Sequence, residues 1–142
     1  PNDMLKNDFG INYINKYGQE KYNEYLEWGD TQFEYYRKMV QLCKDNNINL
    51  KVFTTAVHVS QLNILKDLNK MDLFYKWKDE LAKIYPYYDF MTENSITIND
   101  NNYIDTSHIK QEFGYLYFAR IFEDKSIPVP QDFGVKIPKK EF

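Results

Sequence analysis

Ile48-Asn49-Leu50-Lys51-Val52-Phe53-Thr54-Thr55-Ala56-Val57 is the stretch that sets the architecture. It carries Leu50, Val52, Phe53 and two Thr, with neither Gly nor Pro, and reads as a strand buried in a sheet. Upstream, Phe33, Tyr36, Val40 and Cys43 recur at helical intervals. Thr31 and Glu34 have capping-box spacing, and Asp45-Asn46-Asn47 ends that helix. Downstream, Leu62, Leu65 and Leu68 mark a short helix over Ser60–Asn69. Phe74, Trp77, Leu81 and Ile84 mark another over Met71–Tyr85, stopped by Pro86. Tyr87–Met91 is short and aromatic and reads as a second strand. Helix, strand, helices, strand is an α/β order with a parallel sheet.

The rest of the chain follows from this frame. Glu93–Asn102 is an Asn-rich loop with a small extended piece at Ser95–Ile98. Ile109–Asp124 reads as a helix with Phe113, Leu116, Tyr117 and Ile121 facing in and Gly114 inside it at a small cost. Residues 1–30 form an irregular lead-in with a short helix around Gln19–Trp28, residues 31–125 a partial α/β domain, and residues 126–142, with three Pro, an extended strap. Two strands are few for a free-standing doubly wound sheet. The expectation is part of such a domain, completed by residues outside this chain, with an open sheet edge that promotes self-association.

Composition narrows the class. The 142 residues are 43% hydrophobic and 27% charged, values of a folded domain rather than a disordered one. A net charge of −3, with Lys interspersed among Asp and Glu, gives no basic stripe for nucleic acid. No apolar run approaches the length of a membrane span. The single Cys43 cannot form an intrachain disulfide and reads as a small core residue. Tyr35, Tyr36, Tyr85, Tyr87, Tyr88, Tyr115 and Tyr117 read as core more than as a carbohydrate-stacking surface.

The chemical signal lies in Tyr103-Ile104-Asp105-Thr106-Ser107-His108-Ile109-Lys110-Gln111-Glu112-Phe113-Gly114. Asp105 is close enough to accept a hydrogen bond from the His108 ring, fixing its tautomer and orientation as a general base requires. Ser107 is placed to cap the following helix, whose positive end would keep His108 neutral.

This stretch resembles the final block of SGNH/GDSL-type hydrolases, in which Asp-x-x-His precedes the last helix. Val52–His58 resembles the internal block of the SGNH-hydrolase-like proteins of bacterial envelopes. Tyr88-Asp89-Phe90 resembles their strand before the Asp-His loop, and Pro130–Val135 their C-terminal strap. The resemblance covers roughly residues 31–137 and implies the C-terminal portion of a flavodoxin-like three-layer domain. It implies His108 as general base, Asp105 as its orienting partner, and esterase or O-acyltransferase chemistry on an acylated carbohydrate in the periplasm or cell envelope.

The chain departs from that family at the nucleophile. Gly29-Asp30-Thr31 mimics the family's Gly-Asp-Ser turn, but no buried strand precedes it, and Thr31 reads as a helix cap. Ser60, Ser95 and Ser126 lie in none of the right contexts. The isolated chain is therefore expected to be inactive, with its Ser outside the sequence. The alternative is a non-catalytic binding or assembly protein on the same scaffold. His58 follows a strand at the end where open α/β sheets place their sites, as a substrate contact or as a loop residue holding the turn. His58, His108 and Asp105 match no standard zinc spacing, so neither metal nor cofactor is expected.

Overall fold

The computed structural model describes residues 29–141; the short helix expected at Gln19–Trp28 lies outside them. Helix α1 spans Asp30–Asp45, β1 Phe53–Thr54, α2 Val59–Asp67, α3 Met71–Ile84, β2 Tyr87–Asp89, α4 Gly114–Ile121 and β3 Val135–Ile137. The sheet order is β1-β2-β3. β1 runs parallel to β2, with Phe53 opposite Tyr88 and Thr54 opposite Asp89. β3 runs antiparallel to β2, with Tyr88 opposite Lys136. The protein is thus α/β, but its sheet is mixed rather than wholly parallel. The third strand comes from the expected strap: chain returning from α4 along β2's free edge supplies the ladder partners β2 would otherwise lack.

Alternation along β2 places helices on both faces. The Tyr87 hydroxyl donates to Lys78 O at 3.4 Å, on the α3 side. Tyr88 and Phe90 face the other way, into a core with Ala56, Leu116, Ile121 and Phe133. Phe90 and Phe133 are completely buried, their rings edge-to-face at 4.7 Å. A second cluster joins Phe33 and Val40 of α1 to Ile84, Trp77 and Leu81 of α3. The periodic apolar positions of both helices meet there, as their spacing predicts.

Several local expectations are corrected. The N-cap of α1 is Gly29, with no side-chain cap bond, so Thr31 lies inside the helix. Asn46 and Asn47 do end it: Asn47 takes φ 54°, left-handed backbone that Asn tolerates. Of Ile48–Val57 only Phe53 and Thr54 enter the ladder, because the Ala56 N–H turns to the Tyr117 hydroxyl and the Val57 N–H folds back to Thr55 O. Ser95–Ile98 is a turn rather than extended chain: Asn94 Oδ1 accepts from the Ile96 and Thr97 N–H groups, and Thr97 Oγ1 donates to Thr92 O. Ile109–Asp124 divides into a 3-10 turn at Gln111–Phe113 and α4. Gly114 opens α4, where a Cβ would meet nothing, so it carries no packing demand. Cys43 is half-buried, and Tyr35 and Tyr115 are exposed, so that part of the expected core is surface.

Candidate functional site

The Asp105–His108 loop is closed at its neck by the bridge between Tyr103 and Ile109, where the Ile104 N–H donates to His108 O at 2.9 Å. At its tip Asp105 Oδ1 accepts from the backbone N–H groups of Ser107 and His108, both at 2.8 Å. The imidazole Nδ1 lies 2.8 Å from Oδ1 and 2.7 Å from Oδ2 of the same carboxylate. A carboxylate only accepts, so Nδ1 carries the proton and the neutral ring keeps its lone pair on Nε2. Partial burial works against ionisation of Asp105. The hydrogen bonds from Ser107 and His108 outweigh it and hold the carboxyl below its usual range.

Two expectations for this loop fail. Ser107 caps no helix: its Oγ accepts from Gln61 Nε2 at 3.3 Å. His108 precedes the 3-10 turn by three residues and α4 by six, too far for a helix dipole, whose influence fades within a turn.

The loop sits beside the segment leaving the C-terminal end of β1. The His58 N–H donates to Thr106 O at 2.9 Å, Tyr103 Oη to Ala56 O at 2.9 Å, and Gln61 Nε2 to Thr106 Oγ1 at 2.8 Å. Thr106 is fully buried, which anchors the middle of an otherwise exposed loop. The three singled-out residues are therefore gathered at one end of the sheet, but their side chains do different things. The His108 ring is 72% exposed.

The His58 ring is buried and does not reach the Asp105 carboxylate. It is the N-cap of α2, its Nδ1 accepting from the Ser60 N–H at 3.2 Å. Ser60 Oγ lies 2.8 Å from the same nitrogen, and Nε2 lies 3.1 Å from Asp100 Oδ1. Tyr103 packs edge-on against the ring at 5.1 Å. Asp100 sits in the Asn-rich loop, where no spacing singled it out.

A third polar centre lies between β1 and β2. Thr54 Oγ1 donates to Asp89 Oδ1 at 2.7 Å and accepts from the Phe90 and Met91 N–H groups. Lys78 Nζ donates to Asp89 Oδ2 and Met91 O, both at 2.6 Å, and lies over the Phe74 ring, 4.6 Å from its centroid. Burial lowers the Lys78 pKa, and the Asp89 contact opposes that shift. Every polar atom here is engaged, so the centre joins the two parallel strands. The clue in the sequence was an acid inside an aromatic strand, which burial obliges to find a cation.

Among the described residues no three His, Cys, Asp or Glu side chains converge as metal ligands, and no helix is long and apolar enough to cross a membrane. A groove of about 600 Å³ runs between the end of α4 and β3, lined by Tyr88, Arg120, Glu123, Lys125, Val129 and Lys136 among others, away from both histidines. Comparison with known family models, curated proteins and solved structures gives no match.

Proposed function

We infer that the chain is the C-terminal part of an SGNH-hydrolase-like α/β domain of a bacterial envelope. On this reading His108 is the general base and Asp105 its orienting partner in ester hydrolysis or acyl transfer on acylated carbohydrate. The nucleophilic Ser is supplied by sequence outside this chain. The observation that carries the reading is the Asp105–His108 pair: one carboxylate held by two backbone N–H groups and bonded to Nδ1 of a largely exposed ring. A base in this state is oriented and held in one tautomer, and lacks only a hydroxyl to deprotonate. The position of the loop beside the C-terminal end of β1 supports the same reading.

The gene sequence preceding Pro1 tests it. A buried strand followed by a Gly-x-Ser turn supports an enzyme, and joining that segment to this chain should yield esterase activity that His108→Ala abolishes. This chain alone should give no His108-dependent turnover of p-nitrophenyl acetate; such turnover would overturn the missing nucleophile.

A second reading, a non-catalytic binding or assembly protein, draws on the exposure of the same pair. It predicts no Gly-x-Ser upstream and ligand or partner binding that His108→Ala weakens.

A further inference from the structure

Ser60, His58 and Asp100 form a second hydroxyl–imidazole–carboxylate chain, independent of the Asp105–His108 reading. Its protonation state follows from its partners. A backbone N–H can only donate, and the Ser60 N–H points at His58 Nδ1. Nδ1 therefore bears the lone pair, and in the neutral ring Nε2 carries the hydrogen and donates it to Asp100 Oδ1 at 3.1 Å. Ser60 Oγ, 2.8 Å from an unprotonated nitrogen, is left as the donor of its own hydroxyl proton. A serine hydroxyl aimed at a base, with that base oriented by a carboxylate, is the arrangement that activates a nucleophile. The ring is buried against Tyr103, while Ser60, at the start of α2, is only partly buried.

We propose that Ser60 is a reactive serine that accepts acyl groups from activated esters, with His58 as base and Asp100 as its orienting partner. Ser60 Oγ forms a bond to the acyl carbon as its proton passes to His58 Nδ1. The tetrahedral adduct collapses with cleavage of the ester C–O bond, and the leaving oxygen takes the proton from His58 as it departs. The products are acyl-Ser60, the released alcohol and a neutral imidazole.

The surroundings define the substrate class. The N–H groups that could stabilise an oxyanion here are engaged: Val59 with Thr97 O and Gln61 with His58 O, both at 3.0 Å, and Ser60 with the ring. Without those donors the reaction depends on a good leaving group, so aryl esters react and alkyl esters do not.

The test is incubation of the full chain with p-nitrophenyl acetate, followed by intact-mass measurement and peptide mapping. One acetyl group per chain, mapped to Ser60, is expected. Ser60→Ala keeps the backbone N–H that caps α2 and should lose that adduct while melting as the parent does. Asp100→Asn should slow acetylation by on the order of a hundredfold. No adduct, an adduct confined to Lys or Tyr, or equal acetylation of Asp100→Asn and the parent overturns the proposal. Because the His108 reading concerns turnover with an upstream Ser and this one concerns a stoichiometric adduct on Ser60, either can fail alone.

Discussion

The hydroxyl of Tyr117 accepts a hydrogen bond from the backbone N–H of Ala56 at 2.9 Å. A side chain on α4 thereby ends the ladder of β1 and ties the sheet to the helix on one of its faces. Ala56 is buried, so no water can replace the bond. Tyr117→Phe keeps the ring packing against Phe90 and Phe133 and leaves that N–H unsatisfied. The expected cost is about 1–3 kcal/mol, measured by urea denaturation with an unchanged slope.

The buried Lys78–Asp89 pair should show the asymmetry of such contacts. Lys78→Met strands the Asp89 carboxylate between two strands and should cost about 3–5 kcal/mol. Adding Asp89→Leu should recover part of that loss, though not all, because Thr54 and the Met91 N–H also lose an acceptor. A double-mutant cycle by chemical denaturation measures the coupling.

Gly134 lies at φ 78°, a conformation that side chains rarely adopt, and a Cβ there would collide with the Phe90 ring. Both the backbone and the core oppose any larger residue. Gly134→Ala should lower the melting temperature by several degrees, and Gly114→Ala, with open space around its Cβ, should leave it unchanged or raise it.

Asp105 titrates below its ordinary value in the folded chain. A depressed carboxylate contributes stability that is present above the unfolded pKa, near 4, and is lost as pH falls through the lower folded value. The difference in melting temperature between the parent and Asp105→Asn that is present at about pH 5 should shrink below about pH 4. A difference that grows as the pH falls would contradict the pairing.

The outer edge of β1 carries no strand among the described residues, and Phe53 beside it is 46% exposed. Tyr115 and Phe118 on α4 and Phe122 just past its end are also exposed, the last two stacked at 6.3 Å. Concentration-dependent self-association should appear in sedimentation velocity and fall with Phe118→Ser/Phe122→Ser. A compact monomer at high concentration would count against it.

Much of this protein is local, and local features are legible from the chain alone. The spacing of Phe33 and Val40, or of Leu62 and Leu65, determines helices because apolar side chains three, four or seven residues apart share one face. Asp105 and His108 meet because three residues of loop span one hydrogen bond, so that pair could be read before any fold was known. What the tertiary structure decided is everything that depends on distant partners. The strap became β3 because β2 had an unpaired edge for Val135–Ile137 to fill. The strand at Ile48–Val57 shrank to two residues because Tyr117, sixty-one positions away, took the Ala56 N–H. His58 and Asp100 are separated by forty-two residues, and no spacing rule joins them. Their contact exists only because packing of Tyr103 and burial of Thr106 carry the Asn-rich loop back to the start of α2.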